Sequence, residues 1–205
     1  MTPESFEMMS GAAVSRETLD NLAAYEGLVR LWTNSINLVA KSQADDIWHR
    51  HIVDSAQIFP LIPQRATHLV DLGSGGGFPG IVIAILAKDQ RPGLYVSLIE
   101  SDRRKAAFLR TAAREFGLDV TVHAARIEEV EPQGADVVTS RALAPLDRLV
   151  PLAIRHLKPG GKMLLLKGAN WKAELESVTT PVSAWTTPSR TSPDAVVVEI
   201  DLNVE

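Results

Sequence analysis

The chain has 205 residues, a formal net charge of −4 and no cysteine. This length suits one domain with an appendage, and 45% hydrophobic with 22% charged residues is typical of a globular protein with a substantial core. The lack of cysteine excludes a disulfide framework, a thiolate metal site and a thiol nucleophile. No apolar run approaches the roughly 20 residues of a membrane-spanning helix, and the N-terminus lacks a signal-peptide pattern. We therefore expect a cytoplasmic protein.

The first 65 residues predict an irregular start followed by a helical appendage. Residues 1–15 are small and polar without a period, and we expect them to be disordered. Apolar residues then recur at helical spacing from Arg16 onward, which predicts a helix that ends at Trp32 or Thr33. A second amphipathic helix is predicted over Asp45–Phe59, where prolines stop it. We therefore expect residues 16–65 to form a helical appendage that caps one edge of a sheet.

Strand and helix patterns alternate through the rest of the chain, which predicts an α/β domain over residues 66–205 with a parallel sheet and right-handed crossovers. Strands are predicted at His68–Leu72, Leu94–Ile99, Asp119–His123, Ala135–Thr139, Lys162–Lys167 and Ala195–Leu202, with a weaker one at Val182–Thr186. Helices are predicted at Phe78–Ala87, Arg103–Phe116, Leu146–Leu157 and Trp171–Val178.

A glycine-rich turn, DLGSGGGFPG, joins the first predicted strand to the first helix of this domain. Gly73, Gly75 and Gly77 alternate through it, so the backbone can take φ > 0 and approach a ligand closely. A dinucleotide fingerprint needs another glycine where Phe78 stands, which argues against an NAD-type oxidoreductase. An acidic strand end, Asp71, leading into alternating glycines resembles motif I of the class I S-adenosylmethionine (SAM)-dependent methyltransferases. The resemblance implies a Rossmann-like methyltransferase sheet that binds SAM at this turn.

Two later strand ends supply further candidate contacts to a nucleoside. Glu100 ends the second strand, where a carboxylate can accept both ribose hydroxyls, although an ordinary solvated carboxylate is the alternative. After the third strand, Ile127 is placed to pack on an adenine ring, and Glu128 or the nearby backbone to meet the edge of that ring; this interpretation depends on their motif position.

The segment after the fourth strand, Ser140-Arg141-Ala142, is informative for what it lacks. Amino-group methyltransferases that act on adenine or cytosine place an Asn/Asp-Pro-Pro-aromatic tetrapeptide there, and without cysteine C5 methylation of pyrimidines is also excluded.

The five histidines do not fall at metal-ligand spacing, so we expect no metal site. His51 and Asp54 share a helix face, and an ordinary surface pair is the favoured interpretation.

Several linked motifs together resemble the RsmG/GidB family of bacterial small-subunit ribosomal RNA guanine-N7 methyltransferases. They span about residues 20–170 and comprise WxNxxNL from Trp32, HxxDS from His51, the glycine-rich turn from Asp71, IES with RKxxFL from Ile99, ARIEE from Ala125, TSRA from Thr139 and LLKG from Leu165. The resemblance implies SAM as cofactor, with contacts at Gly73, Phe78, Ile127, Glu128 and Arg141. It implies 16S rRNA as the substrate, either free or in a small-subunit ribosomal particle.

The family's chemistry fits these residues. Guanine N7 carries an in-plane lone pair and is unprotonated at neutral pH, so its attack on the sulfonium methyl needs no general base. Catalysis is then expected to come from proximity and alignment, with Arg141 at the sheet edge as the orienting residue. A SAM-dependent small-molecule methyltransferase is the alternative function. A nucleic-acid-binding protein without catalysis is a further one, against which the intact Asp71, Glu100 and glycines argue.

RNA affinity in an acidic chain must come from a local patch. One predicted helix carries a stripe of arginines that is either a phosphate-contacting patch or a solvated face: Arg103, Arg110 and Arg114. Asn37, Arg126 and Lys167 are further polar candidates for RNA contact, although Lys167 is equally well interpreted as a solvated lysine at a strand end. The chain departs from the family at Thr33, where asparagine is usual, and in its non-basic C-terminus. We expect a monomer.

Overall fold

A seven-stranded sheet forms the centre of the computed structural model, which describes residues 1–202 without the side chains of residues 41, 42 and 44. Its strands are β1 (His68–Leu72), β2 (Tyr95–Ile99), β3 (Val120–His123), β4 (Ala135–Arg141), β5 (Leu157–Lys167), β6 (Val182–Pro188) and β7 (Val196–Leu202). The strand order is β3-β2-β1-β4-β5-β7-β6. Strands β2 and β3 are added on one side of β1, whereas β4 and the later strands are added on its other side. Open α/β sheets bind their ligands where the strand order reverses in this way, here between β1 and β4.

The first five strands are parallel, which confirms the prediction for that part of the sheet. The prediction of a parallel sheet is wrong for the last pair, because β7 runs antiparallel to both β5 and β6. The physical reason is the connection: β6 and β7 follow each other through a short loop, which permits only antiparallel pairing, whereas a parallel pair needs a longer crossover.

Helices cover both faces of the sheet. On one face lie α4 (Gly80–Gln90) and α5 (Arg103–Glu115), and on the other lie α6 (Leu146–His156) and α7 (Trp171–Glu176). Strand β1 is buried on both sides: Leu69 joins the apolar cluster of the first face, and Val70 joins that of the second. The four helices predicted for this domain all exist; their C-terminal ends differ from the prediction by one to three residues, and α4 begins two residues later than predicted.

The structure has a helix within residues 1–15, the segment for which the sequence predicts disorder. Helix α1 (Pro3–Ser10) is capped by Thr2, whose hydroxyl accepts from the Ser5 N–H, and it buries Phe6 completely. The ring of Phe6 contacts that of Trp48 edge-on, with centroids 6.0 Å apart. Phe6 anchors this segment together with Ala12, Met9 and Val14, which belong to or pack on the same core. The burial of one such ring is worth several kcal/mol.

Helix α2 spans Arg16–Thr33, as predicted. The second predicted helix is instead a series of short helical segments: a 3₁₀-helix at Lys41–Asp46, a π-helix at Trp48–Val53, the short α3 (Asp54–Ala56) and a 3₁₀-helix at Phe59–Leu61. Apolar periodicity detects that this segment is helical but does not distinguish the helix type. The π-helix contains His51 and leads directly into Asp54.

One apolar cluster joins the appendage to the first face of the sheet. It includes Phe6, Leu22 and Tyr25 from the N-terminal helices together with Ile81 of α4 and Phe108 of α5. The appendage therefore packs as part of the main core. Over residues 1–202, no helix is both long and apolar enough to cross a membrane.

Candidate cofactor and substrate site

The glycine-rich turn leaves β1 at the reversal point of the sheet and leads into α4. Gly73, Gly75 and Gly77 all have positive φ, at 68°, 53° and 83°, a region that side chains with a Cβ rarely adopt. At Gly75 an added Cβ would meet nothing closer than the Gly73 carbonyl at 3.8 Å. Gly75 lines a cavity of about 380 Å³, so its open side faces the space available to a ligand.

The other side of the turn is held by the appendage. The hydroxyl of Tyr25 donates to the Gly76 carbonyl, and burial raises the pKa of Tyr25 well above its usual value, so it remains a donor. A Cβ at Gly77 would collide with this hydroxyl and would lie 2.6 Å from Ile81 Cγ1. Gly77 therefore allows the turn to pack closely against Tyr25 and Ile81, whereas Gly75 leaves space for a ligand in the cavity. The sequence did not single out Tyr25, since it reads as one apolar position among many on α2.

Asp71 lies beneath the turn and is completely buried. One carboxylate oxygen accepts from Thr139 Oγ1 at 3.0 Å, and the other accepts from the Gly80 N–H at 3.3 Å. Burial raises the pKa of Asp71 to about 7, although hydrogen bonds from Ser74, Thr139 and Gly80 oppose this rise. Asp71 is absent from the cavity wall, so in this arrangement it supports the turn and is not exposed to a cofactor.

Glu100 lies at the cavity, as expected from its position at the end of β2. Its two oxygens accept from the Gly75 N–H and the Asp102 N–H, both at 2.8 Å. The carboxylate therefore lies beside Gly75, the glycine of this turn at which an added Cβ would meet open space. The cavity wall also includes Gly73, the apolar Ile127 and the exposed Glu128. A nucleoside with an amino acid end fits this set, because the site offers a carboxylate for hydroxyls, an apolar side chain for a base and bare backbone between them.

The side chain of Phe78 is absent from the wall of this cavity. Its ring packs on His51, with centroids 4.9 Å apart, and on Tyr25 at 5.7 Å. Phe78 thus fastens the glycine-rich turn to the appendage, and any contact with a cofactor would come from its backbone.

Ile127 and Glu128 belong to a short 3₁₀-helix, Ile127–Glu129, that follows β3. His156 of α6 is fully buried behind this helix, and its Nε2 lies 3.2 Å from the Ile127 carbonyl oxygen. Arg126 is exposed at the cavity rim. The structure therefore brings all three predicted residues to one wall and supports that wall from behind.

A second cavity of about 670 Å³ adjoins the first. The two share a wall formed by residues 141–144, the loop that follows β4. Within this loop Ala142 has a φ of 51°, and Leu143 reaches over the turn so closely that a Cβ at Gly73 would lie 2.6 Å from its Cδ1. The sequence did not identify Leu143 as part of the site, because nothing local in Arg141-Ala142-Leu143 indicates where the loop folds.

Arg141 lines both cavities and is paired with the appendage. Its Nε lies 3.4 Å from Asp54 Oδ2, and most of both side chains is buried. The interpretation of His51 and Asp54 as a surface pair is wrong, because His51 is only 5% exposed and Asp54 points to Arg141 instead. Burial, Arg141 and Arg50 lower the pKa of His51 to about 3, so its ring is neutral at pH 7. The HxxDS motif is the feature of the sequence that could have marked His51 and Asp54 as residues of the site.

The remaining predicted RNA contacts are dispersed. Lys167 lines the larger cavity, but its Nζ is held by Glu174 at 2.5 Å and by the Ala144 carbonyl at 2.8 Å, so it is not a solvated lysine. Asn37 is exposed on the loop whose Leu38 carbonyl lies against Gly76. Arg103 begins α5 at the catalytic edge, whereas Arg110 donates to the Val122 carbonyl farther down the helix. Arg114 is exposed beside it.

No group of three or more histidine, aspartate or glutamate side chains within the described part of the chain is arranged to hold a metal ion. The fold, the glycine-rich turn and the paired cavities define a class I SAM-dependent methyltransferase. Solved structures with this fold include a SAM-dependent methyltransferase from Aquifex aeolicus (TM-score 0.59, 14% identity, 78% of this chain and 95% of that one). A SAM-dependent O-methyltransferase from Thermotoga maritima gives a TM-score of 0.56 at 18% identity over 74% of this chain and 65% of that one.

Sequence comparison then gives the family. The family described as GidB, rRNA small subunit methyltransferase G, matches residues 18–190. Ribosomal RNA small subunit methyltransferase G of Rhodospirillum centenum is 50% identical over 95% of this chain and 88% of that protein. The protein of the same name from Cereibacter sphaeroides is 47% identical over 98% and 97%. The chain belongs to the RsmG/GidB family, and its cofactor is SAM.

Proposed function

We propose that this protein transfers a methyl group from SAM to N7 of a guanine in 16S rRNA of the small ribosomal subunit, acting as a monomer in the cytoplasm. The relatives named above supply the rRNA class of substrate. The choice of N7 follows from the family resemblance and from the absence of the residues that other base methyltransferases need.

One observation carries the proposal: the cofactor cavity and the larger cavity meet at the loop of residues 141–144. Methyl transfer requires donor and acceptor in line at a shared boundary, and this loop is such a boundary. The wall of the larger cavity combines apolar residues with many polar and charged side chains, among them Gln43, Asp46, His49, Arg50, Lys167, Glu174 and Thr191. Such a wall suits a nucleotide better than an apolar small molecule, which argues against the small-molecule alternative.

The side chains around this boundary suit a reaction without a general base. Bound SAM supplies an electrophilic methyl group. His51 is neutral but packed against Phe78, and the carboxylate of Asp54 is occupied by Arg141 and Thr191. With a pKa of about 3 the His51 ring is too weak a base to remove a proton, and the Asp54 carboxylate is engaged by its partners. Attack by guanine N7 requires no proton removal. Arg141 is left to orient a ligand and to exclude water, together with Leu143 of the same loop.

We further propose that RNA lies across the catalytic edge and continues along α5. Arg103 and Arg104 begin that helix, and Arg104 Nη2 is fixed by the Ser35 carbonyl at 2.6 Å. Arg114 lies 11 residues beyond Arg103, which is about 16 Å along the helix at roughly 1.5 Å per residue. A stripe of that length matches several phosphates of a strand, so it supports the patch interpretation over a single contact.

The decisive experiment is in vitro methylation of 16S rRNA and of small subunits taken from a strain that lacks the gene. Borohydride and aniline treatment cleaves RNA at 7-methylguanosine, and primer extension should then reveal one new stop that requires both the protein and SAM. Methylation of free nucleosides or metabolites, with rRNA unmodified, would support the small-molecule alternative. Comparing rRNA with subunits identifies which of the two is the substrate.

A further inference from the structure

Asp54 is a carboxylate whose two oxygens connect three separate parts of the chain. Its Oδ2 pairs with Arg141 Nε of β4 at 3.4 Å, while Oδ1 accepts from Thr191 Oγ1 of the β6–β7 loop at 2.6 Å. Gln57 Nε2 also donates to Oδ1, at 2.8 Å, and Gln57 Oε1 accepts from the Arg190 N–H at 2.9 Å. The appendage, the end of β4 and the wall of the larger cavity are therefore joined at one side chain.

This pairing holds the guanidinium of Arg141 by one edge only. Nε faces Asp54, whereas Nη1 is buried and has no hydrogen-bond partner among the described residues. A buried guanidinium N–H without an acceptor is unfavourable, and in native proteins such groups are usually satisfied by a ligand or by water. Because the guanidinium is a rigid plane, fixing its Nε edge also fixes the direction of Nη1.

Among the described residues, Asp54 is the only one whose carboxylate lies within 4.0 Å of an Arg141 nitrogen. Glu174 is occupied by Lys167 at 2.5 Å and by the Leu146 N–H at 3.1 Å. Glu100 is occupied by two backbone N–H groups at 2.8 Å, and Asp46 lies near His49 and Arg50. Loss of Asp54 would therefore leave the arginine without a directed partner inside the protein.

We propose that Asp54 is a positioning residue for methyl transfer: it holds Arg141 so that Nη1 donates to an acceptor oxygen of a ligand at the junction of the two cavities. The inference rests on the proposed function for the identity of the reaction, but the pairing itself does not depend on it. The acceptor is either the carboxylate of the cofactor or O6 of the guanine, and ligand analogues distinguish the two sources.

The first measurement concerns kinetics, with Asp54→Asn, Asp54→Ala, Arg141→Ala and the double variant Asp54→Ala/Arg141→Ala. Asp54→Ala should lower methyl transfer to rRNA by about 10-fold or more, because a misdirected orienting group loses alignment. In the Arg141→Ala background, Asp54→Ala should lower the rate of methyl transfer by less than about a further 2-fold, since the two residues act as one unit. Asp54→Asn keeps an acceptor for Thr191, so a loss in that variant assigns the effect to the contact with Arg141.

Binding of S-adenosylhomocysteine and of 5′-methylthioadenosine, which lacks the amino acid end, identifies the acceptor. If Nη1 meets the cofactor carboxylate, Asp54→Ala weakens only the first compound. If Nη1 meets guanine O6, both compounds bind as in the wild type, and the loss falls on kcat. Either result supports the positioning role, provided that Asp54→Ala no longer has this effect when Arg141 is already alanine.

A third measurement does not need rRNA. The Nε–H of Arg141 should give a slowly exchanging nitrogen–proton NMR signal, assigned by its loss in Arg141→Lys, and Asp54→Asn should shift it and speed its exchange. If the wild type fails to methylate rRNA while this signal behaves as expected, the proposed function fails and the positioning role stands. The matched control is Asp136→Asn, which breaks a carboxylate network with Thr67 and His68 at the opposite end of the sheet and should leave methyl transfer per folded molecule unchanged.

The positioning role is overturned if Asp54→Ala folds and retains wild-type turnover. It is also overturned if the losses from Asp54→Ala and Arg141→Ala multiply independently, or if the Arg141 signal is unaffected by Asp54→Asn.

Discussion

Asp71 and Gly75 lie four residues apart and serve opposite sides of one turn. Asp71 faces the interior, where a hydroxyl and a backbone N–H occupy its oxygens, and Gly75 faces the cavity. Both belong to the same short motif, yet changes at the two positions should affect different properties. Substitution of Gly75 should affect ligand binding, and substitution of Asp71 should affect the stability of the turn and its response to pH.

Gly75→Val should abolish binding of SAM and S-adenosylhomocysteine while the protein remains folded. An added side chain meets open space in the free protein, but it would occupy the cavity and oppose a φ of 53°. Isothermal calorimetry measures the binding, with Gly93→Val as the control, since a Cβ at Gly93 has nothing within 4 Å and lies outside both cavities. Normal affinity in Gly75→Val, or tight binding of NADH by the wild type, would contradict the assignment of this turn.

Arg141→Ala should lower methyl transfer by about 10-fold or more, equivalent to about 1.4 kcal/mol in the barrier, with an unchanged fold. Arg141→Lys should not restore activity, because an ammonium keeps the charge but lacks the planar arrangement that faces Asp54 with one edge and a ligand with the other. Single-turnover rates with rRNA and a thermal melt of each variant provide the test. Equal activity in Arg141→Lys would mean that only the ion pair matters.

Asp71 should make the free energy of unfolding depend on pH. Its pKa of about 7 in the folded protein lies above the ordinary 3.8. The stability contributed by the protonated group is therefore fully present below about pH 4 and is lost as the pH rises through 7. Relative to Asp71→Asn, the wild type should lose a few kcal/mol over this interval, since one pKa unit is worth about 1.4 kcal/mol. Urea unfolding of both proteins from pH 4 to pH 8 tests this, and parallel curves would rule it out.

At the scale of elements, helix α5 connects the catalytic edge to a distant surface. Asp102 caps it by accepting from the Arg104 and Lys105 N–H groups, and this fixes Arg103 at the edge. Its apolar face packs Phe108 into the core, so the exposed arginines face outward. The same helix thus supplies core packing on one side and a basic stripe on the other.

Reversal of the α5 stripe, with Arg103, Arg110 and Arg114 all changed to Glu, should weaken rRNA binding and flatten its salt dependence while leaving SAM affinity intact. Filter binding at several salt concentrations, together with calorimetry for SAM, separates the two effects. The matched control reverses Arg16, whose side chain is exposed on α2. An unchanged salt slope would show that the stripe is only a solvated face.

At the scale of the whole molecule, the appendage and the sheet share one core. Tyr25 of α2 touches Phe78 of the turn and Phe108 of α5, with ring centroids 5.7 Å and 6.4 Å apart. Asp54 adds a polar link from the appendage to β4. Because these contacts join parts that are distant in sequence, the appendage and the sheet should unfold together, although they were delimited as separate units from the sequence.

Phe6→Ala should destabilise the entire protein by about 3–5 kcal/mol and preserve a single unfolding transition, because it removes a completely buried ring from the shared core. The control is Met8→Ala on the same helix, where the side chain is 78% exposed and the change should stay within about 0.5 kcal/mol. Denaturation followed by circular dichroism and by tryptophan fluorescence measures both. Two separate transitions would show that the appendage folds independently.

The sequence alone determined the alternation of strands and helices, the position of the glycine-rich turn and the family, because these depend on local periodicity and on short motifs. It predicted that Glu100 and Ile127 lie near the glycine-rich turn, since each follows a strand whose carboxyl end lies at the same edge of the sheet, and both line the cavity beside that turn. Only the tertiary structure decided that Asp71 faces inward, that Phe6 orders the N-terminus and that Asp54 pairs with Arg141. Those features depend on tertiary contacts between side chains that are distant in sequence, and local sequence patterns do not encode such contacts.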